Sequence, residues 1–330
     1  MTTPGATRPI IIAHRGASGY LPEHTLAAKA TAHAMGSDFL EQDVVLSSDG
    51  VPIVLHDIFL DSTTDVANRY PGRARADGRY YALDFKWAEI TQLRARERCA
   101  DTRQGATSAV FPARFPVHLS LFGVPSLAQE IDLIAGMDKS RNRTTGLYLE
   151  FKAPNWHKAQ GQDLVTAVLA VLKEKGYADK PEQVFLQCFD DATLRRLRFE
   201  LKTPLPLIQL IADNSWGEDS AVDYDYLRTP EGLSDIAHYA DGIGPWLRHV
   251  YLGKDQSGNA RLSDLPELAR SEGLLLHPYT LRRDELPEGI SSFTELLDIL
   301  FRLAGVDGVF TDFPDLVRDY LQAQGNRLEP

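Results

Sequence analysis

Two histidines, two cations and three carboxylates stand at or near the ends of apolar segments in this sequence. His14, Arg15 and Gly16 follow the apolar run RPIIIA, and Glu41 and Asp43 lie two residues apart in FLEQDVVL, where they would share one face of a strand. The His-Arg-Gly turn suits the close approach of an anion, because arginine binds phosphate oxygens in a forked geometry and glycine leaves room for the ligand.

Glu150 and Lys152 repeat this arrangement in GLYLEFK, at the end of a later apolar segment. Bringing the carboxylates of Glu41, Asp43 and Glu150 together inside a protein is costly without positive charge. A hard divalent cation with oxygen ligands, Ca²⁺ or Mg²⁺, would supply that charge, and the small number of histidine ligands argues against zinc. The alternative is an ion-pair network with Arg15 and Lys152 that holds no metal.

His56 ends the segment VPIVLH, which follows the turn SSDG and is predicted to fold back over the preceding strand as a hairpin. His14 and His56 could therefore flank one pocket, and two imidazoles that titrate near neutral pH are suited to general acid and general base roles. The alternative is that they are structural. That interpretation is taken for His277 and for His24, which precedes Thr25, a candidate helix N-cap.

A regular alternation of strands and helices has to position these residues. Eight short apolar segments are predicted to be strands: 8–13, 39–46, 146–151, 184–189, 205–211, 241–247, 273–280 and 308–313. Helical patterns lie between several of them, and Gly176, Gly273 and Gly305 fit helix C-caps. Because continuous apolar strands are typical of parallel sheets covered by helices, the fold class is predicted to be α/β, a (β/α)₈ TIM barrel.

One long irregular segment interrupts this alternation. Residues 58–125, approximately, are predicted to form a small inserted subdomain after strand two, within a single domain that covers residues 1–330. The insertion is predicted to lie over one mouth of the barrel, and residues 212–226 are expected to cap the barrel as well. In this fold the active site lies at the carboxyl ends of the strands, so Gln187 and Tyr279 join the candidate substrate-binding residues.

Composition limits the classes of partner. The chain has 330 residues with 35 basic and 46 acidic side chains, a formal charge of −11, and this disfavours nucleic acids and anionic membranes. It has only two cysteines, Cys99 and Cys188, which predict neither a disulfide framework nor a zinc site. No apolar run reaches the roughly 18 residues of a membrane span, and the polar start MTTPGATRP does not resemble a signal peptide.

Four segments together resemble the motifs of the glycerophosphodiester phosphodiesterases: HRGASGYLPEHTLAA, FLEQDVVLSSDGVPIVLHD, LYLEFK and GVDGVFTDFPD. The resemblance runs over nearly the whole chain. The long segment after HD and the stretch HPYTLRRDELP are similar to the larger, periplasmic bacterial type, which implies a periplasmic location, whereas the N-terminus as written would indicate the cytoplasm. Short members often carry Trp-Thr where this chain has Tyr279-Thr280, a difference that bears on subtype.

The resemblance implies a metal-dependent hydrolase that converts glycerophosphodiesters, such as glycerophosphocholine and glycerophosphoethanolamine, into glycerol 3-phosphate and an alcohol. It implies acid/base roles for His14 and His56. The remaining expected site residues are Arg15, Lys152, Gln187 and Tyr279 for the substrate and Glu41, Asp43 and Glu150 for Ca²⁺ or Mg²⁺.

Four questions stay open at this level. The attacking group is either water or the 2-hydroxyl of glycerol, which gains effective concentration from its position in the substrate. A lysophospholipase D or a phosphoinositide-cleaving enzyme is an alternative, with the apolar stretch FPARFPVHLSLFGVP (111–125) admitting acyl chains rather than packing the insertion onto the barrel. A non-catalytic surface-binding barrel is the alternative outside the enzymes, and the oligomeric state is not predicted.

Overall fold

A computed structural model describes residues 8–100, 108–115 and 121–325. Within these residues eight parallel strands form a barrel: β1 Ile10–Ala13, β2 Phe39–Leu46, β3 Gly146–Phe151, β4 Val184–Cys188, β5 Leu207–Ile211, β6 Gly242–Pro245, β7 Leu275–Leu276 and β8 Gly308–Thr311. Each of them lies inside one of the eight segments predicted from the apolar pattern. The prediction of a (β/α)₈ barrel is therefore confirmed.

A helix follows each strand along the chain: α1 Leu26–Met35, α2 Leu127–Arg141, α3 Leu164–Glu174, α4 Asp191–Arg195, α5 Pro230–Ile236, α6 Leu265–Ser271, α7 Phe293–Asp298 and α8 Pro314–Gly325. Helices α4 and α7 continue into wider π-helical turns, Arg196–Glu200 and Ile299–Ala304. The Thr25 side chain accepts a hydrogen bond from the backbone of Ala28, as an N-cap does. Gly176, Gly273 and Gly305 adopt the left-handed conformation expected after helices.

The strands pair in the order β7-β6-β5-β4-β3-β2-β1-β8. Backbone bonds complete the ring between its ends, from Asp307 N to the Leu276 carbonyl at 3.0 Å and from Phe310 N to the Pro278 carbonyl at 3.1 Å. In the register of β2, β3 and β4, Asp43 lies opposite Glu150 and Glu150 lies opposite Gln187. The ring thus brings polar residues from three strands to one level.

The alternation of side chains along β2 and β3 separates an apolar shell from the barrel interior. Leu40, Val44, Leu147 and Leu149 belong to the large core between strands and helices. A smaller apolar cluster fills the interior: Ile12, Phe39, Tyr148, Ile208 and Phe310. Because side chains repeat every second residue, Glu41 and Asp43 share the face of Phe39, and Glu150 shares the face of Tyr148.

The segment between β2 and α2 contains a hairpin and an insertion. Strand Pro52–Val54 pairs antiparallel with β2, as expected for the turn SSDG. Beyond it lie the short helices Val66–Arg69 and Trp87–Ile90 and a ribbon of Cys99–Ala100 with Ser108–Ala109. A separate apolar cluster holds this part together, with Phe85 at its centre, so a small subdomain follows strand two. Its limits near residues 58 and 125, and the single domain over residues 1–330, stay predictions.

Both cysteines are free and buried, consistent with the absence of a disulfide framework. None of the helices in the described part of the chain combines the length and the apolar character needed to cross a membrane.

Candidate active site

A cavity of about 410 Å³ lies at the carboxyl ends of the barrel strands. Among the side chains that line it are all nine that the sequence analysis assigned to a site: His14, Arg15, Glu41, Asp43, His56, Glu150, Lys152, Gln187 and Tyr279. They come from β1 to β4, from the end of the hairpin and from the segment after β7. The fold thus brings together residues that are up to 265 positions apart (Tyr279 against His14). Their individual roles stay predictions.

The turn after β1 aims His14 and Arg15 at this cavity. Arg15 and Gly16 have φ values of 57° and 88°, in the left-handed region. A Cβ atom on Gly16 would lie 2.8 Å from the carbonyl carbon of Ala28, so glycine is required both for the conformation and for the space. The turn directs the backbone N–H of Arg15 to Glu41 Oε2 at 2.6 Å, and such a left-handed arginine is typical of functional turns.

Each of the two histidines is held by a carboxylate. The Nδ1 atom of His14 lies 2.6 Å from Asp312 Oδ1, and that of His56 lies 2.6 Å from Asp57 Oδ1. With Nδ1–H as the donor, Nε2 of each ring is left as a proton acceptor. Burial and the positive charge of Arg15 lower the pKa of both imidazoles to about 4. Both rings are therefore neutral near pH 7 and able to accept a proton at Nε2.

Asp43 lies at the centre of the carboxylate group. Its Oδ2 accepts a hydrogen bond from His24 Nε2 at 2.7 Å, and its Oδ1 is buried with no hydrogen-bond partner among the described residues. One ligand atom each from His24, Glu41 and Asp43 lies within 4.8 Å of the others. Glu150 stands across the strand from Asp43 and accepts a hydrogen bond from Lys152 at 2.7 Å. The Asp43 Oδ1 atom is therefore available to coordinate a cation.

The charges around this group do not balance. Five carboxylates converge here, Glu23, Glu41, Asp43, Asp57 and Glu150, against the three cations Arg15, Arg98 and Lys152. The ion-pair network that was the alternative to a metal is thus present, but it has fewer cations than carboxylates. Burial and the Asp43 carboxylate raise the pKa of Glu41, and burial raises that of Glu150 to about 8. A divalent cation with oxygen ligands fits this donor set.

Several residues of the site were not assigned a role from the sequence. Asp57 follows His56 directly, and Asp312 directly follows β8, so their positions gave a signal that they could orient histidines. His24 was interpreted as structural, although it hydrogen-bonds to Asp43. Arg98 binds Glu23 and Asp57 at 2.6 and 2.7 Å. No pattern identified Arg98, because it comes from the irregular insertion.

The remaining candidates differ in what they offer to a ligand. The Tyr279 hydroxyl donates to the Ile211 carbonyl at 3.0 Å, so its ring rather than its hydroxyl is available to the cavity. Gln187 Oε1 is buried and has no partner among the described residues. Trp216, from the segment 212–226 that was expected to cap the barrel, lines the same cavity. His277 bonds to the Tyr148 hydroxyl at 2.9 Å inside the barrel, in agreement with a structural role.

A second cavity of about 260 Å³ lies on the side of the insertion. It shares His14, Arg15, His56, Arg282 and Glu285 with the larger one, so the two histidines stand between two cavities. Its other walls include Glu97, Arg98, Val110, Phe111 and Arg114 of the insertion and Ser18 and Asp312 of the barrel.

Comparisons with known proteins agree with this geometry. The profile of the glycerophosphoryl diester phosphodiesterase family matches residues 14–316. A glycerophosphodiester phosphodiesterase of Haemophilus influenzae is 42% identical over 327 residues, which cover 95% of this chain and 90% of the relative. One from Treponema pallidum is 36% identical over 325 residues, with 94% and 91% covered.

A solved structure has the same fold. It is the crystal structure of a Silicibacter pomeroyi protein described provisionally as a glycerophosphoryl diester phosphodiesterase. The two chains superpose with a TM-score of 0.70 at 26% identity, over 97% of this chain and 95% of the other.

Proposed function

This chain belongs to the glycerophosphoryl diester phosphodiesterase family, and on that basis we propose that it hydrolyses glycerophosphodiesters to glycerol 3-phosphate and an alcohol by general acid/base catalysis with two histidines. One observation carries the proposal. His14 and His56 each have Nδ1 bound to a carboxylate, and both line a cavity whose walls include Arg15, Lys152, Glu41, Asp43 and Glu150. Phosphoric diester hydrolysis uses all of these groups.

Arg15 and Lys152 bind the substrate in this proposal. The non-bridging oxygens of a phosphodiester carry one negative charge, which an arginine fork and a lysine ammonium group attract. Both cations line the larger cavity, and Lys152 Nζ lies 3.5 Å from His56 Nε2. A phosphoryl group at this place therefore lies within reach of an imidazole.

The histidines move the protons. One Nε2 takes the proton of the attacking oxygen as that oxygen bonds to phosphorus, and the other Nε2 gives a proton to the alcohol oxygen as its bond to phosphorus breaks. Asp57 and Asp312 hold the rings by their Nδ1 atoms and stabilise each imidazolium while it exists. The bound anion favours protonation of the ring that acts as the acid, because it offsets the charge of Arg15.

We also propose that Glu41, Asp43 and Glu150 hold Ca²⁺ or Mg²⁺, with His24 fixing the orientation of Asp43. The unpartnered Asp43 Oδ1 and the excess of carboxylates over cations support this assignment. When bound, the metal would stabilise negative charge on the phosphoryl oxygens as a Lewis acid.

The attacking oxygen is either water or the glycerol 2-hydroxyl. Attack by the hydroxyl would give a cyclic phosphate that water then opens, and it would explain a requirement for glycerol on one side of the diester. A substrate analogue without the 2-hydroxyl separates the two. Normal cleavage of that analogue would establish direct attack by water, and loss of turnover is expected if the hydroxyl attacks.

The phospholipase alternative receives less support. Phe111, in the apolar stretch 111–125, lies under the Arg114 guanidinium at 3.7 Å and borders a cavity with several charged walls. Residues 116–120 of that stretch lie outside the described residues. A polar alcohol suits these walls better than an acyl chain, because charged groups lose hydration against hydrocarbon.

An enzyme-coupled assay for glycerol 3-phosphate tests the proposed function. Glycerophosphocholine and glycerophosphoethanolamine should be cleaved. Lysophosphatidylcholine, whose hydrolysis gives lysophosphatidic acid and choline and is therefore followed by choline release, should be cleaved much more slowly. Chelation should abolish turnover, and added Ca²⁺ or Mg²⁺ should restore it. Full activity in chelator would remove the metal from the proposal, and inactivity towards every glycerophosphodiester with both ions supplied would overturn the proposal itself.

A further inference from the structure

Apart from Asp312, the residues that line only the second cavity have no role in the catalysis described above. The position of this cavity indicates a role in binding part of the substrate. In-line displacement at phosphorus places the attacking and the leaving oxygen on opposite sides. The phosphoryl group would lie at His14 and His56, where the two cavities meet. Glu41, Asp43 and Glu150 line only the larger cavity, so the part of the substrate on which they act lies in the larger cavity. The leaving alcohol then extends into the second cavity.

One carboxylate in the second cavity lacks a partner. Glu97 belongs to the insertion, is only 4% exposed and lines this cavity. Among the described residues, no hydrogen bond or ion pair involves its carboxylate. A buried carboxylate without a cation is unusual, since charges inside proteins are normally paired. Its environment therefore favours the binding of a positively charged ligand.

The neighbouring arginines are already bound to other carboxylates. Arg98 contacts Glu23 and Asp57, Arg114 contacts Asp284 and Asp312, and Arg282 contacts Asp312 and Glu285. Burial and the Glu23 carboxylate raise the pKa of Glu97 to about 7. The charges of Arg114 and Arg98 act in the opposite direction and only partly offset this rise.

We propose that Glu97 binds the cationic ammonium group of the leaving alcohol, as in diesters of ethanolamine or choline. This inference rests on the proposed function. The volume of about 260 Å³ accommodates such a headgroup, and the half-buried ring of Phe111, which also lies under Arg114, lines the same cavity as Glu97. Glu97 is thereby a specificity-determining residue, because it selects the alcohol without touching the reacting atoms.

The larger cavity offers a competing place for the same cation. Trp216, Trp246 and Tyr279 line it together with Glu218, and aromatic rings beside a carboxylate also suit an ammonium group. These side chains line the same cavity as Glu41, Asp43 and Glu150. In-line displacement assigns that cavity to the glycerol half of the substrate and not to the leaving alcohol. Glu218 therefore provides a matched control for Glu97.

The test uses a matched pair of substrates and two isosteric variants of the full chain. The substrates are glycerophosphocholine and its neutral isostere with 3,3-dimethylbutanol, and the quantity is the ratio of their kcat/KM values. The wild-type ratio should exceed one. In Glu97→Gln the ratio should fall about tenfold, the size of one lost electrostatic contact between a carboxylate and a trimethylammonium group. In Glu218→Gln the ratio should not change. The melting temperature of each variant shows whether it is folded.

The outcomes separate the two proposals. An unchanged ratio in a folded Glu97→Gln variant, or a wild-type ratio of one, would overturn the role of Glu97 while hydrolysis of both substrates upholds the proposed function. A fall of the ratio in Glu218→Gln alone would place the headgroup in the larger cavity instead. A wild-type enzyme that cleaves neither substrate would contradict the proposed function, and the inference would fall with it.

Discussion

His14 and His56 each bind a carboxylate through one ring nitrogen and keep the other for the cavity. Replacing His14 by alanine removes one of the two groups that transfer protons, so kcat should fall by about 10²- to 10⁴-fold. Initial rates of glycerol 3-phosphate release measure the effect. His238→Ala, at an exposed position, is the matched control and should keep wild-type kcat. A His14→Ala enzyme with more than a tenth of wild-type kcat would show that this imidazole is not an acid or base.

Asp312 orients His14 and also binds two arginines, Arg114 and Arg282, each at 2.8 Å. In Asp312→Asn the amide no longer fixes the Nδ1–H tautomer or stabilises the imidazolium, so kcat should fall by roughly 10²-fold or more. Because the Asp312 carboxylate raises the pKa of His14, the limb of the pH–rate profile that His14 governs should shift to lower pH.

The matched control for that experiment is Asp315→Asn, which alters a carboxylate that binds the Tyr20 hydroxyl and does not line either cavity. It should change neither kcat nor the pH–rate profile. If Asp312→Asn lowers stability but leaves the profile in place, Asp312 supports the fold and does not tune His14.

Strands and helices of the barrel were the most predictable elements. The buried strands are mainly apolar, and the spacing of Glu41 and Asp43 and of Glu150 and Lys152 follows from the two-residue period of a strand. Helix α8 was not among the predicted helices, although it completes the eight strand–helix units. The site residues on strands could be found because the carboxyl ends of barrel strands meet at one mouth.

Contacts made by the insertion could not be predicted. Arg98 and Arg114 reach Asp57 and Asp312 from a segment with little periodicity, and their partners are more than 40 residues away in the chain. The left-handed His24 could not be distinguished from an ordinary helix-start residue either, because its bond to Asp43 depends on how α1 docks on β2. The local pattern of the sequence does not predict contacts between residues that lie far apart in the chain.

Arg98 is one of the residues that tie the insertion to the barrel, and Arg114 is another. In Arg98→Met the carboxylates of Glu23 and Asp57 lose a cation that both of them share in a largely buried place, so the free energy of unfolding should fall by about 3 kcal/mol. Activity should fall as well, because Asp57 holds His56. Urea denaturation and initial rates measure the two effects.

Arg302→Met is the control for this element-scale prediction, since Arg302 makes only a long, exposed pair of 3.6 Å with Asp298. Its effect on the free energy of unfolding should stay within about 1 kcal/mol. Equal effects of the two substitutions would mean that the insertion is attached to the barrel by its apolar contacts and not by Arg98.

The folded protein keeps several histidines away from solvent in their neutral form. His14, His24 and His277 are buried and His56 is partly buried, and burial is the first cause that lowers their pKa values, to about 4, 3, 3 and 4. The ordinary value, which the unfolded chain has, is 6.5. Between these values the unfolded chain binds more protons than the folded one. The stability that these neutral histidines contribute is therefore complete above pH 6.5 and is lost as the pH falls towards 4.

His277 provides the clearest test, because burial alone shifts its pKa and it stands inside the barrel, bonded to Tyr148. Lowering the pH from 7 to 5 should cost about 2 kcal/mol of unfolding free energy for this one residue. In His277→Gln the pH dependence of stability in urea should be flatter by that amount, whatever its stability at pH 7. The carboxylates, including Glu150, are the same in both proteins, so their titration cancels in the comparison. Parallel curves for the two proteins would show that His277 takes up its proton inside the barrel without unfolding it.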